Sequence, residues 1–299
     1  MSTLAGPTTL CGIELAHPII NASGTFDAIA ARRAFGDGVL ERFPFSAYVS
    51  KTITPEPRAG NPPPRLWEEA AGLVNSIGLP NKGLAGFLES DLPVLAALGV
   101  PLIVSVMATG AERFAPLVEE VAARSEVAAL ELNVSCPNVH SGLIVGEEPE
   151  ETAALMRRLR PLTAKPLIVK LTPNVADPAQ IALAAEREGA DAVSLINTIK
   201  AAPILADGSH WLGAGAGGLS GPAVRTIALR QVSEVAAAVQ IPVVGMGGVE
   251  RGADAAALLA AGATVVAVGT ASFRDPLAAA RVRSELGRLV PVAGGREQA

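Results

Sequence analysis

The amino-acid sequence predicts an α/β fold, a (β/α)8 barrel that forms a single domain over residues 1–299. Eight short apolar runs occur at even spacing, and each is continuous rather than alternating, as in parallel strands buried on both faces. Between the runs lie segments rich in Ala and Leu with polar residues at helical spacing. Eight strand–helix units in this length fit a closed barrel. A doubly wound sheet is the alternative, which the even spacing disfavours.

The predicted strands, in chain order, are residues 17–24, 47–54, 101–107, 129–136, 166–172, 191–198, 241–248 and 263–270. The segments "DPAQIALAAEREGA" (177–190) and "ERGADAAALLAAGA" (250–263) are typical of the helices between them. Several helices end in Gly-Ala just before the next strand, which is a helix-termination signal. We see no linker that would divide the chain.

The composition limits what the protein does. With 49% hydrophobic but only 3% aromatic residues, a large core must be built from aliphatic side chains. The net charge of −5 has no basic tract, which argues against a nucleic-acid partner. No segment approaches the roughly 20 apolar residues of a membrane span. Two cysteines cannot form a disulfide framework, and the first residues lack a signal-peptide pattern, so we expect a cytoplasmic protein.

Two connections are too long to be simple turns. Residues 55–80 follow the second strand and residues 199–221 follow the sixth. Long loops after barrel strands lie on the catalytic face, so both are expected to cover a substrate.

Polar residues mark the carboxyl ends of the predicted strands. Lys51, Asn133, Lys170 and Asn197 end four different runs, where such side chains are costly unless something bonds to them. One strand-end lysine could simply reach solvent, but four such positions together indicate a site. Further polar residues at strand ends are Ser23, Thr52, Ser105, Cys136 and Thr198.

Of the two cysteines, Cys136 is the candidate for chemistry. It stands where an apolar run stops and Pro137 forces the chain out of regular pairing, so it belongs to a loop. The alternative is a small buried hydrophobe, which is the interpretation we prefer for Cys11 in an N-terminal hairpin.

Glycines after the seventh and eighth strands predict a phosphate site. "GMGGV" and "AVGTA" each lead from a strand into a helix, where backbone N–H groups can hold a phosphate. The alternative is that these glycines only ease tight turns. By contrast, "GAGAGG" (213–218) matches a dinucleotide fingerprint in the wrong context, so we interpret it as flexible loop. His17, His140 and His210 are scattered, and we expect no metal site.

Three function classes fit these residues: a phosphate-bearing cofactor enzyme, an aldolase-like barrel with Lys170 as Schiff-base nucleophile, and a binding barrel without chemistry. The motifs favour the first. The chain resembles the dihydroorotate dehydrogenase family, a TIM-barrel family with FMN, along almost its whole length. The resemblance rests on motifs that fall in the family's order, namely "NASGTF", "SKTIT", "GNPPPR", "NSIGLPN", "ELNVSCPN", "IVKLTPN", "INT", "GGLSGPA", "GMGGV" and "AVGTA".

The resemblance implies a role for each matching residue. Cys136 would be the catalytic base, on a mobile loop 136–146 in which Gly142 and Gly146 permit movement. FMN would contact Ser23, Lys51, Thr52, Asn133, Lys170 and Ile196, with its phosphate at Gly221, Gly247, Gly248, Gly269 and Thr270. The substrate, dihydroorotate, would contact Lys51, Asn75, Ser76, Ile77, Gly78, Leu79, Asn133, Asn197 and Thr198. Ser105 stands where relatives often have an asparagine that faces the flavin, and because serine is shorter the resemblance does not assign it a flavin contact.

The resemblance also implies an electron route. A cysteine base is similar to the soluble class, and "TPEPRAGNPPPR" and "GGLSGPAVRTIALR" resemble its NAD-linked subclass. Two cysteines cannot supply the four ligands of an iron–sulfur cluster. We therefore expect a homodimer of this chain to bind a separate subunit that carries FAD and an iron–sulfur cluster, forming a heterotetramer. The alternatives are the fumarate-linked subclass and a barrel like that of dihydropyrimidine dehydrogenase.

Overall fold

The computed structural model describes residues 4–38, 43–135 and 145–289. Its strands are β1 (Thr8–Leu10), β2 (Ile13–Leu15), β3 (Ile19–Asn21), β4 (Tyr48–Val49), β5 (Leu66–Glu69), β6 (Gly72–Asn75), β7 (Leu102–Val106), β8 (Val127–Asn133), β9 (Leu167–Lys170), β10 (Ala192–Leu195), β11 (Ile199–Ala201), β12 (Gly217–Ser220), β13 (Val243–Met246) and β14 (Val265–Val268).

The α-helices are α1 (Ala28–Phe35), α2 (Gly83–Gly86), α3 (Leu92–Ala96), α4 (Ala111–Ala122), α5 (Pro149–Leu159), α6 (Pro178–Arg187), α7 (Arg225–Ala238), α8 (Gly252–Ala260), α9 (Ala271–Arg274) and α10 (Ala278–Leu286). Short 3₁₀ turns span Val145–Glu147, Arg160–Leu162 and Pro222–Val224, and a π-helical turn spans Phe87–Asp91. In the described ranges, no helix has both the length and the apolar character needed to cross a membrane.

Eight strands form one parallel sheet in the order β3-β14-β13-β10-β9-β8-β7-β4. Seven of them lie within predicted apolar runs and β8 begins two residues before its run, at Val127, so the predicted (β/α)8 barrel is confirmed. Helices α6 and α8 likewise lie within the two segments predicted to be helical. At the start of α6, the Asp177 carboxylate accepts a hydrogen bond from Ala179 N at 3.0 Å. Pro178 has no backbone N–H, and the first helical position needs none because it has no acceptor within the helix.

A buried side chain joins the two ends of the sheet. Asn21 of β3 donates from Nδ2 to Val49 O of β4 at 2.7 Å and accepts at Oδ1 from Val49 N, also at 2.7 Å. Ser46 N adds a backbone bond to Ile19 O at 3.0 Å. The Asn21 amide thus makes the pair of bonds that a backbone ladder would make.

The hairpin β1–β2 closes the amino-terminal end of the barrel. Leu10 and Leu15 pack against a cluster of inward-facing strand residues that includes Ile103 and Val244. Cys11 lies in the turn and donates from Sγ to Asp191 O, next to the start of β10, at 3.2 Å. The predicted hairpin is confirmed, and burial together with the Asp191 charge raises the pKa of the Cys11 thiol to about 12.

The two long connections form a second sheet. Their strands pair in the antiparallel order β11-β12-β6-β5. The glycine-rich segment (213–218), interpreted from the sequence as flexible loop, therefore ends in the first two residues of strand β12. Its glycines are needed for close packing: a Cβ on Gly218 would lie 1.9 Å from Thr198 Oγ1, and one on Gly217 would lie 2.2 Å from Asn75 O.

Candidate active site

A cavity of about 370 Å³ lies between the ends of the barrel strands and the antiparallel sheet. Its volume falls in the range of small-molecule sites. Most of the residues that the sequence singled out line it, namely Ser23, Lys51, Thr52, Asn75, Ile77, Leu79, Asn133, Lys170, Ile196, Asn197, Thr198, Gly221, Gly247, Gly248, Gly269 and Thr270. Residues far apart in sequence thus meet in one place, at the end of the barrel where barrel enzymes have their active sites.

Two predicted substrate residues lie outside the cavity lining. Ser76 is buried, and its Oγ accepts a hydrogen bond from Asn61 Nδ2 at 3.0 Å. Gly78 also packs against Asn61, because a Cβ there would lie 2.4 Å from Asn61 Oδ1. Asn75, Ile77 and Leu79 line the cavity instead.

Leu79 has an unusual backbone. Its φ is 54°, in the left-handed region that is costly for a large side chain. Asn81 holds the turn, since its Nδ2 donates to Leu79 O at 2.9 Å and to Thr54 Oγ1 at 2.9 Å. Such strain is typical of binding segments that the surroundings fix in one shape.

A network of hydroxyl groups lies along one side of the cavity. Thr52 Oγ1 is 2.9 Å from Ser105 Oγ and 3.4 Å from Ser23 Oγ, and Asn133 Nδ2 donates to it at 3.4 Å. Ser105 is completely buried and does not line the cavity, so its hydrogen bond holds Thr52 from the side that faces away from the cavity. The network fixes the orientation of Thr52 and Asn133, which face the cavity.

Two lysines supply positive charge. Burial lowers the pKa of Lys51, and the Asp27 carboxylate works in the opposite direction. Lys170 is 6% exposed, and its Nζ lies 3.7 Å from Oε1 of the buried Glu131. Two cations held in a largely buried cavity favour an anionic ligand, because they attract it more strongly there than in bulk water.

The far end of the cavity has walls of backbone. Gly221, Gly247 and Gly248 have φ values of 92°, 130° and 72°, which L side chains rarely adopt. Space is also lacking: a Cβ on Gly247 would lie 2.7 Å from Ala228 Cβ, since helix α7 packs closely behind it. A ligand can therefore approach the backbone closely next to the start of α7, which is the arrangement found in phosphate sites.

Amide groups line the side of the cavity nearest the antiparallel sheet. Asn197 donates from Nδ2 to Ser135 Oγ at 3.2 Å and accepts at Oδ1 from Thr198 N at 2.9 Å. Asn75 donates from Nδ2 to Gly218 O of β12 at 3.2 Å. These bonds orient the amides and leave each of them further hydrogen-bonding capacity.

Cys136 and Gly142 lie outside the described residues. The chain is described again from Val145, where Gly146 N donates to Val134 O at 2.9 Å. Gly146 is buried in a 3₁₀ turn, and a Cβ there would lie 2.7 Å from Val134 Cγ2. Gly146 therefore packs closely against the end of β8 in this structure, and its role in loop movement stays a prediction.

Glu131 was missed in the sequence. It occupies an inward position of β8, two residues before Asn133, and is 4% exposed. The signal was available, because "ALELNV" places one carboxylate inside an otherwise apolar strand run. Leu66 and Phe273 line the cavity as well, and these two apolar residues carried no sequence signal.

Comparisons with known proteins identify the family of this chain. The sequence pattern of the family described as dihydroorotate dehydrogenase matches residues 6–290. The NAD(+)-linked dihydroorotate dehydrogenase B catalytic subunit of Geobacter sulfurreducens is 43% identical, over 94% of this chain and 92% of its own. The same subunit of Desulforudis audaxviator is 44% identical, over 96% and 93%.

A third relative is named for fumarate, rather than NAD(+), as the electron acceptor. This protein of Solibacter usitatus, provisionally named dihydroorotate dehydrogenase A (fumarate), is 42% identical over 97% of this chain and 95% of its own. The family is therefore clear, whereas overall identity does not separate the two acceptors. The chain belongs to the dihydroorotate dehydrogenase family, whose oxidoreductase activity implies a flavin cofactor.

Proposed function

We propose that this chain, as one barrel over residues 1–299, oxidises dihydroorotate to orotate in pyrimidine biosynthesis with FMN as its cofactor. The observation that carries the proposal is the single cavity in which a glycine-walled end, two lysines and three asparagines meet. Each part suits one part of the two ligands. Family membership supports the same reaction.

The cavity fits FMN on the chemistry of its donors. Gly221, Gly247, Gly248, Gly269 and Thr270 would hold the phosphate, because backbone N–H groups bind a dianion where no side chain intervenes. The polar edge of the ring would lie near Thr52, Asn133 and Lys170, with Ser23, Lys51 and Ile196 as further contacts. Bound FMN supplies the acceptor for the hydride that leaves the substrate.

Lys51 and the asparagines would bind the substrate. The Lys51 ammonium is matched to the carboxylate of dihydroorotate, whereas Asn75, Asn133 and Asn197 each offer a donor and an acceptor to a planar ring. Thr198, Ile77 and Leu79 would complete the contact surface. Ser76 and Gly78 would act by shaping the segment that presents Ile77 and Leu79, since both pack against Asn61.

Cys136 would remove the proton from the ring carbon next to the one that loses the hydride. Its thiolate is the reactive form, and nearby cations and hydrogen-bond donors favour that form. Ser135, the residue before it, contacts Asn197 at the cavity, which supports a base on this side of the substrate. A lysine nucleophile is less suitable here, because Lys170 pairs with Glu131.

For the electron acceptor we propose NAD, reached through a separate subunit that carries FAD and an iron–sulfur cluster and binds a homodimer of this chain. Relatives at 43% and 44% identity are named as catalytic subunits of NAD(+)-linked enzymes, and such a name implies a partner for them. The fumarate-linked relative at 42% identity supports the second candidate, direct use of fumarate.

The reaction is tested by absorbance. The purified protein should be yellow, and anaerobic dihydroorotate should bleach the flavin band and yield orotate. Dihydrouracil, which has the same ring but no carboxylate, should bleach it far more slowly, because Lys51 then has no partner. A colourless protein, or equal rates with both compounds, would refute the proposal; the second result would favour a dihydropyrimidine dehydrogenase-like activity.

A further inference from the structure

The buried carboxylate of Glu131 lies beneath the cavity and has no assigned role. Strand β8 points Glu131 into the barrel, opposite Ser105 of β7 in the parallel ladder. It is 4% exposed and does not line the cavity. A carboxylate in such a place is costly unless a cation and hydrogen bonds compensate for the water it has lost.

The compensation around Glu131 is uneven. Ser194 Oγ donates to Oε2 at 3.0 Å. Oε1 accepts no hydrogen bond from any described residue, and Lys170 Nζ lies 3.7 Å from it as an ion-pair partner. A movement of less than 1 Å would turn this contact into a charge-assisted hydrogen bond. Oε1 is therefore available to the ammonium of Lys170. This lysine contacts the carboxylate and also lines the cavity.

We infer that Glu131 is a positioning residue for Lys170. Its carboxylate fixes the Lys170 ammonium at the floor of the cavity and offsets part of the positive charge. This inference rests on the proposed function, because its effect is exerted on a flavin above Lys170. Ser194 holds one carboxylate oxygen, and the other faces the lysine. Because Asn133 lies opposite Lys170 in the next ladder, a fixed lysine also keeps the cavity floor in one arrangement.

The sign of the effect follows from charge. Reduction adds negative charge to a flavin, so a nearby cation favours the reduced form and a nearby anion opposes it. Lys170→Met should therefore lower the flavin's reduction potential. Glu131→Gln should raise it, because the ammonium loses its counter-charge. We expect a change of about tenfold in the equilibrium between the two forms, which is about 30 mV for a two-electron couple.

The experiment is a redox titration of the FMN-loaded full chain against a reference dye, without substrate. Gln has the shape of Glu and can still hydrogen-bond to Ser194, so Glu131→Gln should fold. Glu120→Gln is the matched control, since it makes the same chemical change at an exposed position of α4. Its potential should equal that of the wild type. Should Glu131→Gln not fold by circular dichroism, Glu131→Asp keeps the charge but withdraws it, and should raise the potential by less.

The double variant Lys170→Met/Glu131→Gln separates action through Lys170 from a direct effect. If Glu131 acts through the Lys170 ammonium, the Gln substitution should change nothing in the Lys170→Met background, where no ammonium is left to position. An undiminished rise in that background would show that Glu131 acts on the flavin by itself, and would overturn the inference.

The outcomes distinguish this inference from the proposed function. If the wild type binds no flavin, or dihydroorotate does not bleach it, the proposed function fails and the positioning role fails with it. If the wild type is bleached but Glu131→Gln has the wild-type potential, only the positioning role is refuted. Loss of folding stability alone, with an unchanged potential, would likewise reduce Glu131 to a structural residue.

Discussion

Single residues at the site combine two opposing requirements, burial and charge. Burial lowers the pKa of Lys51, while Asp27 favours its charged form. Lys170 is buried more deeply but has Glu131 beside it. Such cations lose solvation free energy in the folded protein, and an anionic ligand or reaction product then compensates for part of that loss. This explains why the cations lie at strand ends, where a ligand can reach them.

The role of Cys136 as base is open to a direct test. We expect Cys136→Ala to bind FMN normally but to reduce it with dihydroorotate about 10²–10⁴-fold more slowly, the usual cost of losing a general base. Cys136→Ser should recover activity only at higher pH, because a hydroxyl is much less acidic than a thiol. Stopped-flow absorbance under anaerobic conditions measures both rates.

Cys11 provides the matched control for this variant. It is the other cysteine of the chain, lies in the hairpin at the opposite end of the barrel, and has a thiol with a pKa of about 12. Cys11→Ala should bleach its flavin at the wild-type rate. Bleaching at that rate in Cys136→Ala as well would exclude Cys136 as the base.

Among the elements, strand β3 is preceded by a buried histidine, two residues before its start. His17 is 3% exposed, and its Nδ1 accepts a hydrogen bond from Ile19 N at 3.3 Å. Its backbone oxygen accepts from Ser46 Oγ at 2.5 Å, across the seam where β3 meets β4. Burial, and secondarily the charge of Arg283, lowers the pKa of His17 from 6.5 to about 4. The neutral imidazole is thus part of the barrel closure.

This histidine should make the barrel sensitive to acid. Between pH 6.5 and about 4 the unfolded chain binds a proton at His17 that the folded chain does not, so stability falls as pH falls through this window. The loss attributable to His17 is at most about 3 kcal/mol. His17→Asn keeps an acceptor for Ile19 N but cannot be protonated. Urea unfolding at pH 7.5 and 4.5 should show a smaller loss for the variant, and equal losses would contradict the assignment.

The sequence predicted the barrel elements because burial on both faces produces continuous apolar runs that need no knowledge of distant partners. The second sheet was not predictable in this way. Strand β6 pairs with β12, and Asn75 lies opposite Gly218, more than 140 residues away. Its strands are short and only partly apolar. Glycines needed for this pairing therefore resembled a flexible loop in the sequence.

The site was predictable to the extent that its residues end barrel strands. Strand ends meet at one face of a barrel, so Lys51, Asn133 and Lys170 could be expected together. Side-chain direction within an irregular segment could not be expected, which is why Ser76 and Gly78 were grouped with their neighbours. Glu131 was missed because its role depends on which residue lies beside it in the barrel interior, and that depends on register.

For the whole molecule, the open question is where the electrons go after the flavin. The chain has two cysteines, too few for an iron–sulfur cluster of its own. Its one G-x-G-x-x-G match ends inside β12 rather than opening a helix, so it is not a dinucleotide site. If the acceptor is NAD, a second protein must carry the electrons.

We therefore expect the purified chain alone to bleach its flavin with dihydroorotate and to pass electrons to an artificial dye, but to form almost no NADH. Adding an electron-transfer subunit with FAD and an iron–sulfur cluster should increase NADH formation by orders of magnitude. The same preparation without the partner, assayed with fumarate, is the control, because an enzyme of the fumarate-linked kind needs no second subunit. Rapid NADH formation by the isolated chain would refute the partner, and efficient reduction of fumarate would assign the chain to the second candidate.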